Sequence, residues 1–211
     1  MKRITTLEWV NTLTHFLGFL LSIAGLVIMI TYAVTYKDGQ SVIGATIFGS
    51  SLIILYLAST LYHMFSHTSW KDILRQVDHM SIYVLIAGTY TFFCLSEIRG
   101  PLGWTIFAAI WGLALLGVIF KFIALKKETK LIEVMSLILY LLMGWLIMFA
   151  IKPVKEVINP MALNFLIYGG IAYTAGIIFY RWEKLPFNHG IWHLFVMAGS
   201  ILHFFAVIHS F

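Results

Sequence analysis

The chain has 211 residues, of which 61% are hydrophobic and only 11% charged, against about 25% charged in an ordinary soluble domain. That composition excludes a water-soluble globule, and a single cysteine, Cys94, excludes an internal disulfide or a CxxC metal or redox site. No nucleic-acid motif accompanies the formal charge of +5, so the excess of Lys and Arg points to anionic lipid headgroups as partners.

Seven charge-free runs follow one another along the chain: Trp9 to Tyr36, Gly39 to Trp70, His79 to Ser96, Gly100 to Phe120, Val134 to Ile151, Val157 to Tyr180 and Leu185 to Phe211. Their lengths are 28, 32, 18, 21, 18, 24 and 27 residues. A helix needs roughly 20 apolar residues to cross a hydrocarbon core about 30 Å thick, so every run suffices or nearly so. The runs are solidly apolar and do not alternate, which excludes a β-barrel. The expected fold is an all-α integral membrane protein, a single seven-transmembrane helix bundle over residues 1–211 with spans near 10–36, 41–65, 76–97, 101–122, 132–151, 160–181 and 188–209. The first run follows Lys2 and Arg3 as a secretory signal would. Its apolar stretch exceeds the roughly 7 to 15 residues of a signal core and ends in no small-x-small site, so it is read as a span.

Between spans, Lys37-Asp38-Gly39-Gln40 and Ile98-Arg99-Gly100-Pro101 read as tight turns, and Lys126 to Lys130 as a solvated connection. Trp9, Trp70, Trp104 and Trp182 fall where interfacial anchors belong. Ten of the 14 basic residues lie on the side of the N-terminus and four on the other. Cytoplasmic loops are the Lys- and Arg-rich ones, so the N-terminus is expected in the cytoplasm and the C-terminus outside, in a multi-pass protein of the plasma membrane.

Ionisable groups within spans are costly and usually functional. His63 and His67 end span 2, Asp78 and His79 open span 3, and His189 and His193 open span 7, so all six fall near the cytoplasmic ends of their helices. His189-Gly-Ile-Trp-His193 puts two imidazoles on one helix face a turn apart, a spacing that suits a metal pair or a merely structural pair. Asn188 is placed to cap that helix. Ser59-Thr-Leu-Tyr-His63 has the same i,i+4 geometry, and with His63 the set reaches three nitrogens with a fourth position open. That is the arrangement of catalytic zinc, whose bound water has a pKa near 7.

Asp78 is then either a base or orienting group at the site or an interfacial carboxylate paired with Arg75. Ser59 either hydrogen-bonds an oxyanion or packs against backbone. Glu8, Asn11 and His15 form a polar stripe on span 1, which either supports the site as outer-shell partners or fixes how the span packs. His203 lies 14 residues beyond His189, about 21 Å deeper by helix rise, too far for the same ion. His67 and His79 read as interfacial, and His209 as lying at the outer boundary.

Taken together, Glu8-x-x-Asn11-x-x-x-His15, Ser59-x-x-x-His63, Asp78 in Gln-Val-Asp-His, and His189-x-x-x-His193 resemble the hemolysin III family. That family belongs with the progestin and adipoQ receptors and, more distantly, the alkaline ceramidases. The resemblance runs nearly the full chain. It implies seven helices and a zinc ion held by three histidines near the cytoplasmic side, matching His63, His189 and His193. Asp78 and Ser59 match the family's water-associated and neighbouring polar positions. A pair of acidic residues common at the family's start is represented here by Glu8 followed by Trp9, and the short N-terminus resembles a bacterial member.

The function expected first is a zinc-dependent hydrolase of a lipid amide or ester. Its substrate would enter sideways from the bilayer, Asp78 would serve the attacking water and Ser59 the oxyanion; ceramide-like amides enter by family analogy alone. The alternatives are a non-catalytic sensor or regulator of membrane state with structural zinc, or a pore-forming cytolysin as the family name suggests. Neither a detachable amphipathic segment nor a channel-lining row of charges supports the cytolysin. A proton-coupled transporter fits less well, because the midplane carries little beyond His203.

Overall fold

The structure, a computed structural model, describes residues 4–124 and 129–211; Lys2, Arg3, Lys126 and Lys127, used above to orient the chain, lie outside them. Among the described residues, seven helices are long and apolar enough to cross a membrane: α1 (Thr6–Tyr36), α2 (Gly39–Met64), α3 (Lys71–Ile98), α4 (Gly100–Ile123), α5 (Lys130–Val157), α6 (Pro160–Arg181) and α7 (Asn188–Ile208). No strand occurs among the described residues. The start of α1, the end of α2, and the starts of α3 and α7 share one end of the bundle, called here the N-terminal end.

The polarity of α1 is inverted relative to a helix of a soluble protein. On α1 the buried residues are Asn11, Thr12, His15, Gly18, Ser22, Gly25, Met29 and Ala33, a helical stripe of mostly small or polar groups, while Leu13, Leu17, Leu20 and Leu21 are exposed. Helices in lipid gain nothing from burying leucine against leucine; they associate where small residues let backbones approach. Gly44 on α2 is such a place, since a Cβ there would sit 2.9 Å from Phe92 Cα of α3. Polar side chains on these faces close back on their own helix, as Thr12 does to Glu8 O and Ser22 to Gly18 O, each at 2.7 Å. All four expected anchors, Trp9, Trp70, Trp104 and Trp182, are exposed.

The two expected tight turns form a polar clasp at the other end. Asp38 caps α2 through Ser41 N, and its second oxygen receives Arg99 Nη2 at 2.6 Å. Arg99 stands alone between α3 and α4 with φ +35, followed by Gly100 at φ +61, a left-handed step that glycine takes without strain. Lys37 meets Glu97 at 3.0 Å. The Ser41 backbone N–H, and then the Arg99 guanidinium, hold the Asp38 carboxyl down to about 2. A carboxyl depressed in the folded state adds stability above its unfolded value near 3.9, and that stability disappears as pH falls through the folded value. Thermal unfolding of detergent-solubilised protein should therefore show the midpoint falling between about pH 4 and pH 2, with the fall flattened in Asp38→Asn; equal slopes in both proteins would remove the clasp from the stability of the fold.

The fifth span departs from expectation. It was expected to end near 151, but the helix runs Lys130–Gly144, tightens through Leu146–Ala150 and resumes over Ile151–Val157, taking in Lys152 and Lys155. Tyr90 of α3 fills the break: its hydroxyl donates to Gly144 O at 3.1 Å and accepts from Ile147 N at 2.9 Å. Backbone groups freed inside a bilayer must find partners within the protein, and one phenol here satisfies both an orphan carbonyl and an orphan amide. On the inner side of α5, a cavity of about 190 Å³ lies between α3, α5, α6 and α7. Its lining on α6 runs from Leu163 to Tyr180, about 26 Å by helix rise. The wall is largely apolar and holds Asp78 and His15 as well as His203.

Candidate metal centre

His63 stands at the end of α2, 2% exposed, and His193 one turn inside α7, fully buried. His189 lies a turn before His193. The ring centroids are 5.0 Å apart for His63 and His189, 5.0 Å for His63 and His193, and 4.6 Å for His189 and His193. One ligand atom from each can be chosen so that all lie within 4.8 Å of one another. The Nε2 atoms of all three are buried and have no hydrogen-bond partner.

The opposite ring nitrogens explain why. His63 Nδ1 is 2.6 Å from Glu8 Oε2; a carboxylate only accepts, so Nδ1 carries a proton and in the neutral ring Nε2 presents its lone pair. His193 Nδ1 is 3.1 Å from Thr14 Oγ1. That hydroxyl donates to the carbonyls of Val10 and Asn11 at 3.0 and 2.9 Å, so toward His193 it accepts, and Nε2 is bare again. Ligating histidines are held in this way by a carboxylate or oxygen acceptor on the far nitrogen. Close imidazole nitrogens that are buried without hydrogen-bond partners are left unsatisfied unless a cation lies between them. The donor set therefore fits a borderline metal ion such as zinc.

The remaining expected residues fall as follows. Glu8 reaches the site directly through His63, and Asn11 is buried beside it. His15 stacks on His193 with centroids 3.5 Å apart and planes at 16°. An imidazole lone pair lies in its ring plane, so the near-parallel stack directs the nitrogens of His15 and His193 along separate planes, and His15 is outside the group of close ligand atoms. Asp78 is 6% exposed and Ser59 1%. Ser59 Oγ lies beside the Asp78 carboxyl without completing a hydrogen bond of its own. Asp78 is thus buried in the cavity wall, with His79 Nδ1 3.9 Å from its carboxyl, and Arg75 reaches Asp72 at 3.8 Å. Asp78 is also outside the group of close ligand atoms.

His67 is exposed in the turn after α2, and His209 is exposed at the end of α7. His79, expected at the interface, is only partly exposed; its Nδ1 bonds Arg75 O at 2.6 Å, and its side chain lines the cavity. His203 is far from the cluster, its Nε2 bound to Leu166 O at 3.2 Å. One expectation is corrected. Asn188 does not cap α7 but is its first residue, following Phe187 at φ +57. The left-handed step at Phe187 turns the chain so that Asn188 Nδ2 donates to Tyr180 O at 3.2 Å, satisfying a carbonyl at the end of α6.

Two residues were not singled out from the sequence. Thr14 lies about 100° around the helix from His15, off the stripe of Glu8, Asn11 and His15, so no periodicity flags it. Lys121, at the end of the expected span 101–122, is a completely buried residue of α4 that lines the cavity together with Asp78.

Seven apolar helices around a buried three-histidine cluster able to bind a metal ion define a multi-pass membrane protein with an intramembrane polar site. Residues 4–204 match the family model described as Haemolysin-III related, and the chain belongs to that family. It is 46% identical to hemolysin-3 of Bacillus cereus over 201 residues, which cover 95% of this chain and 90% of the relative. Identity to the hemolysin-3 homolog of Bacillus subtilis is also 46%, covering 95% of this chain and 92% of that protein. The human monocyte to macrophage differentiation factor is 33% identical over 174 residues, 78% of this chain and 69% of its own length.

Proposed function

We propose that the protein is a zinc-dependent hydrolase of a lipid amide or ester, acting near the cytoplasmic leaflet with its N-terminus in the cytoplasm. The single observation that carries this reading is the junction of two features: three buried imidazole nitrogens without partners, and an apolar cavity that reaches Asp78 and His15 at the same end of the bundle. His63, His189 and His193 would hold the metal, which when bound supplies Lewis acidity that polarises a carbonyl and acidifies water.

The other roles belong to the chain's own side chains. Glu8 and Thr14 fix the ligand rings by accepting from their outer nitrogens. Asp78 accepts the proton of the attacking water and delivers it to the leaving group, and the hydroxyl of Ser59 donates to the carboxyl or to the developing oxyanion. The cavity between α5 and α6 takes the acyl chain and excludes bulk water from the reacting bond.

Zinc-loaded protein in detergent should cleave long-chain acyl amides or esters, and chelation should abolish turnover until zinc is restored. Absence of turnover across both lipid classes in folded, zinc-loaded protein would refute the hydrolase. A second reading, membrane lysis, is favoured by the name shared by the Bacillus relatives; dose-dependent leakage of liposomes that is indifferent to zinc would support it instead.

A further inference from the structure

His15 is the one imidazole of the cluster that neither joins the three close ligand atoms nor holds another ring by a hydrogen bond. It is 2% exposed, lies flat on His193 and meets Tyr56 edge-on at 5.1 Å and 87°. Both of its ring nitrogens are buried without a partner, and its side chain forms part of the cavity wall on which Asp78 also lies. Stacked on His193, it is outside the three close ligand atoms. A residue that merely orients a ligand does so as Glu8 and Thr14 do, by accepting from the far nitrogen of His63 or His193; His15 makes no such hydrogen bond to any of the three rings. What remains is the cavity. A neutral imidazole offers one N–H and one bare nitrogen, so its complement is a group that brings both an acceptor and a donor into an otherwise apolar space. Ligand sites are commonly built in this way, with a few polar groups in an apolar wall.

We infer that His15 contacts the bound lipid: its ring holds the polar linkage at the head of the acyl chain, through a carbonyl oxygen that accepts and an N–H or hydroxyl that donates, and sets that linkage against the reacting centre. The assignment rests on the lipid-hydrolase reading for its ligand and adds a substrate-holding residue on α1. Two variants test it. His15→Phe keeps a flat ring to lie on His193 and removes both nitrogens; His15→Gln gives up the ring but restores a donor and an acceptor. The probe is a long-chain N-acyl ethanolamine titrated into zinc-loaded protein in detergent, with zinc per chain measured on the same samples.

The expected result is that His15→Phe binds the probe about tenfold more weakly, the effect of one or two neutral hydrogen bonds, with zinc content unchanged, and that His15→Gln recovers part of the loss. Wild-type affinity in His15→Phe would overturn the inference, as would loss of zinc together with binding, or failure of the wild type to bind. If the Phe variant does not fold, His15→Ala against His15→Gln decides by the same two readouts. Wild-type binding without cleavage, lost in His15→Phe, would refute the hydrolase and leave this assignment standing. Cleavage with an unchanged KM in His15→Phe would do the reverse.

Discussion

Asp78→Asn should retain the metal and lose lipid turnover by about 10²–10⁴-fold, the range of a general base or acid. The side chain is buried in the wall of the cavity between α3, α5, α6 and α7, lies beside Ser59, and is not among the three close ligand atoms. The isosteric amide fills the same space but cannot take a proton from water. His63→Ala is the informative contrast, because it removes a ligand and leaves the Glu8 carboxylate without the imidazole it meets at 2.6 Å; metal and turnover should then fall together. The two variants are compared by zinc per chain and kcat on protein of matched helicity. Turnover retained in Asp78→Asn would move the base elsewhere, and metal lost in Asp78→Asn would make the carboxylate a ligand.

Glu8→Ala should weaken zinc binding by about 10–100-fold, the usual effect of deleting a partner behind a ligating histidine. The contact is short and its imidazole is nearly sealed from solvent, with side-chain exposures of 3% for His63 and 24% for Glu8. Without the carboxylate, the ring loses the acceptor that fixes its tautomer and rotation. Glu8→Gln should fall between wild type and Glu8→Ala, since an amide oxygen still accepts but brings no charge. Competition with a chromogenic chelator measures all three proteins, and equal affinities would reduce α1 to a packing helix at this position.

The sequence exposes the spans because charge is expelled from hydrocarbon, so gaps between charges mark helices to within a few residues. The largest discrepancies are at ends that pass into the headgroup region, where Lys71, Arg75, Lys152 and Lys155 are still helical. The histidines are legible for the same reason: ionisable groups in spans are rare, and the i,i+4 spacing of His189 and His193 is local. What α1 does is less so. Its stripe is visible, but only the packing of α1 on α2 and α7 shows Glu8 on His63 and His15 on His193. Thr14 is invisible because a threonine in a span usually bonds only its own helix, and here it does that and receives His193 as well. The break at Gly144 and Trp145 depends on the hydroxyl of Tyr90, 54 residues away from Gly144. Lys121 falls within the expected span 101–122, but nothing local marks it as the buried residue that lines the cavity.

The most direct test is the metal content of purified, detergent-solubilised protein by elemental mass spectrometry, for wild type and for the His189→Ala, His193→Ala double variant. The buried, unpartnered imidazole nitrogens of the close trio His63, His189 and His193 predict about one zinc per chain in wild type and essentially none in a double variant that retains its helicity. Wild type without metal after zinc is supplied and excess washed away, or equal zinc in the double variant, would contradict a metal centre at these three residues.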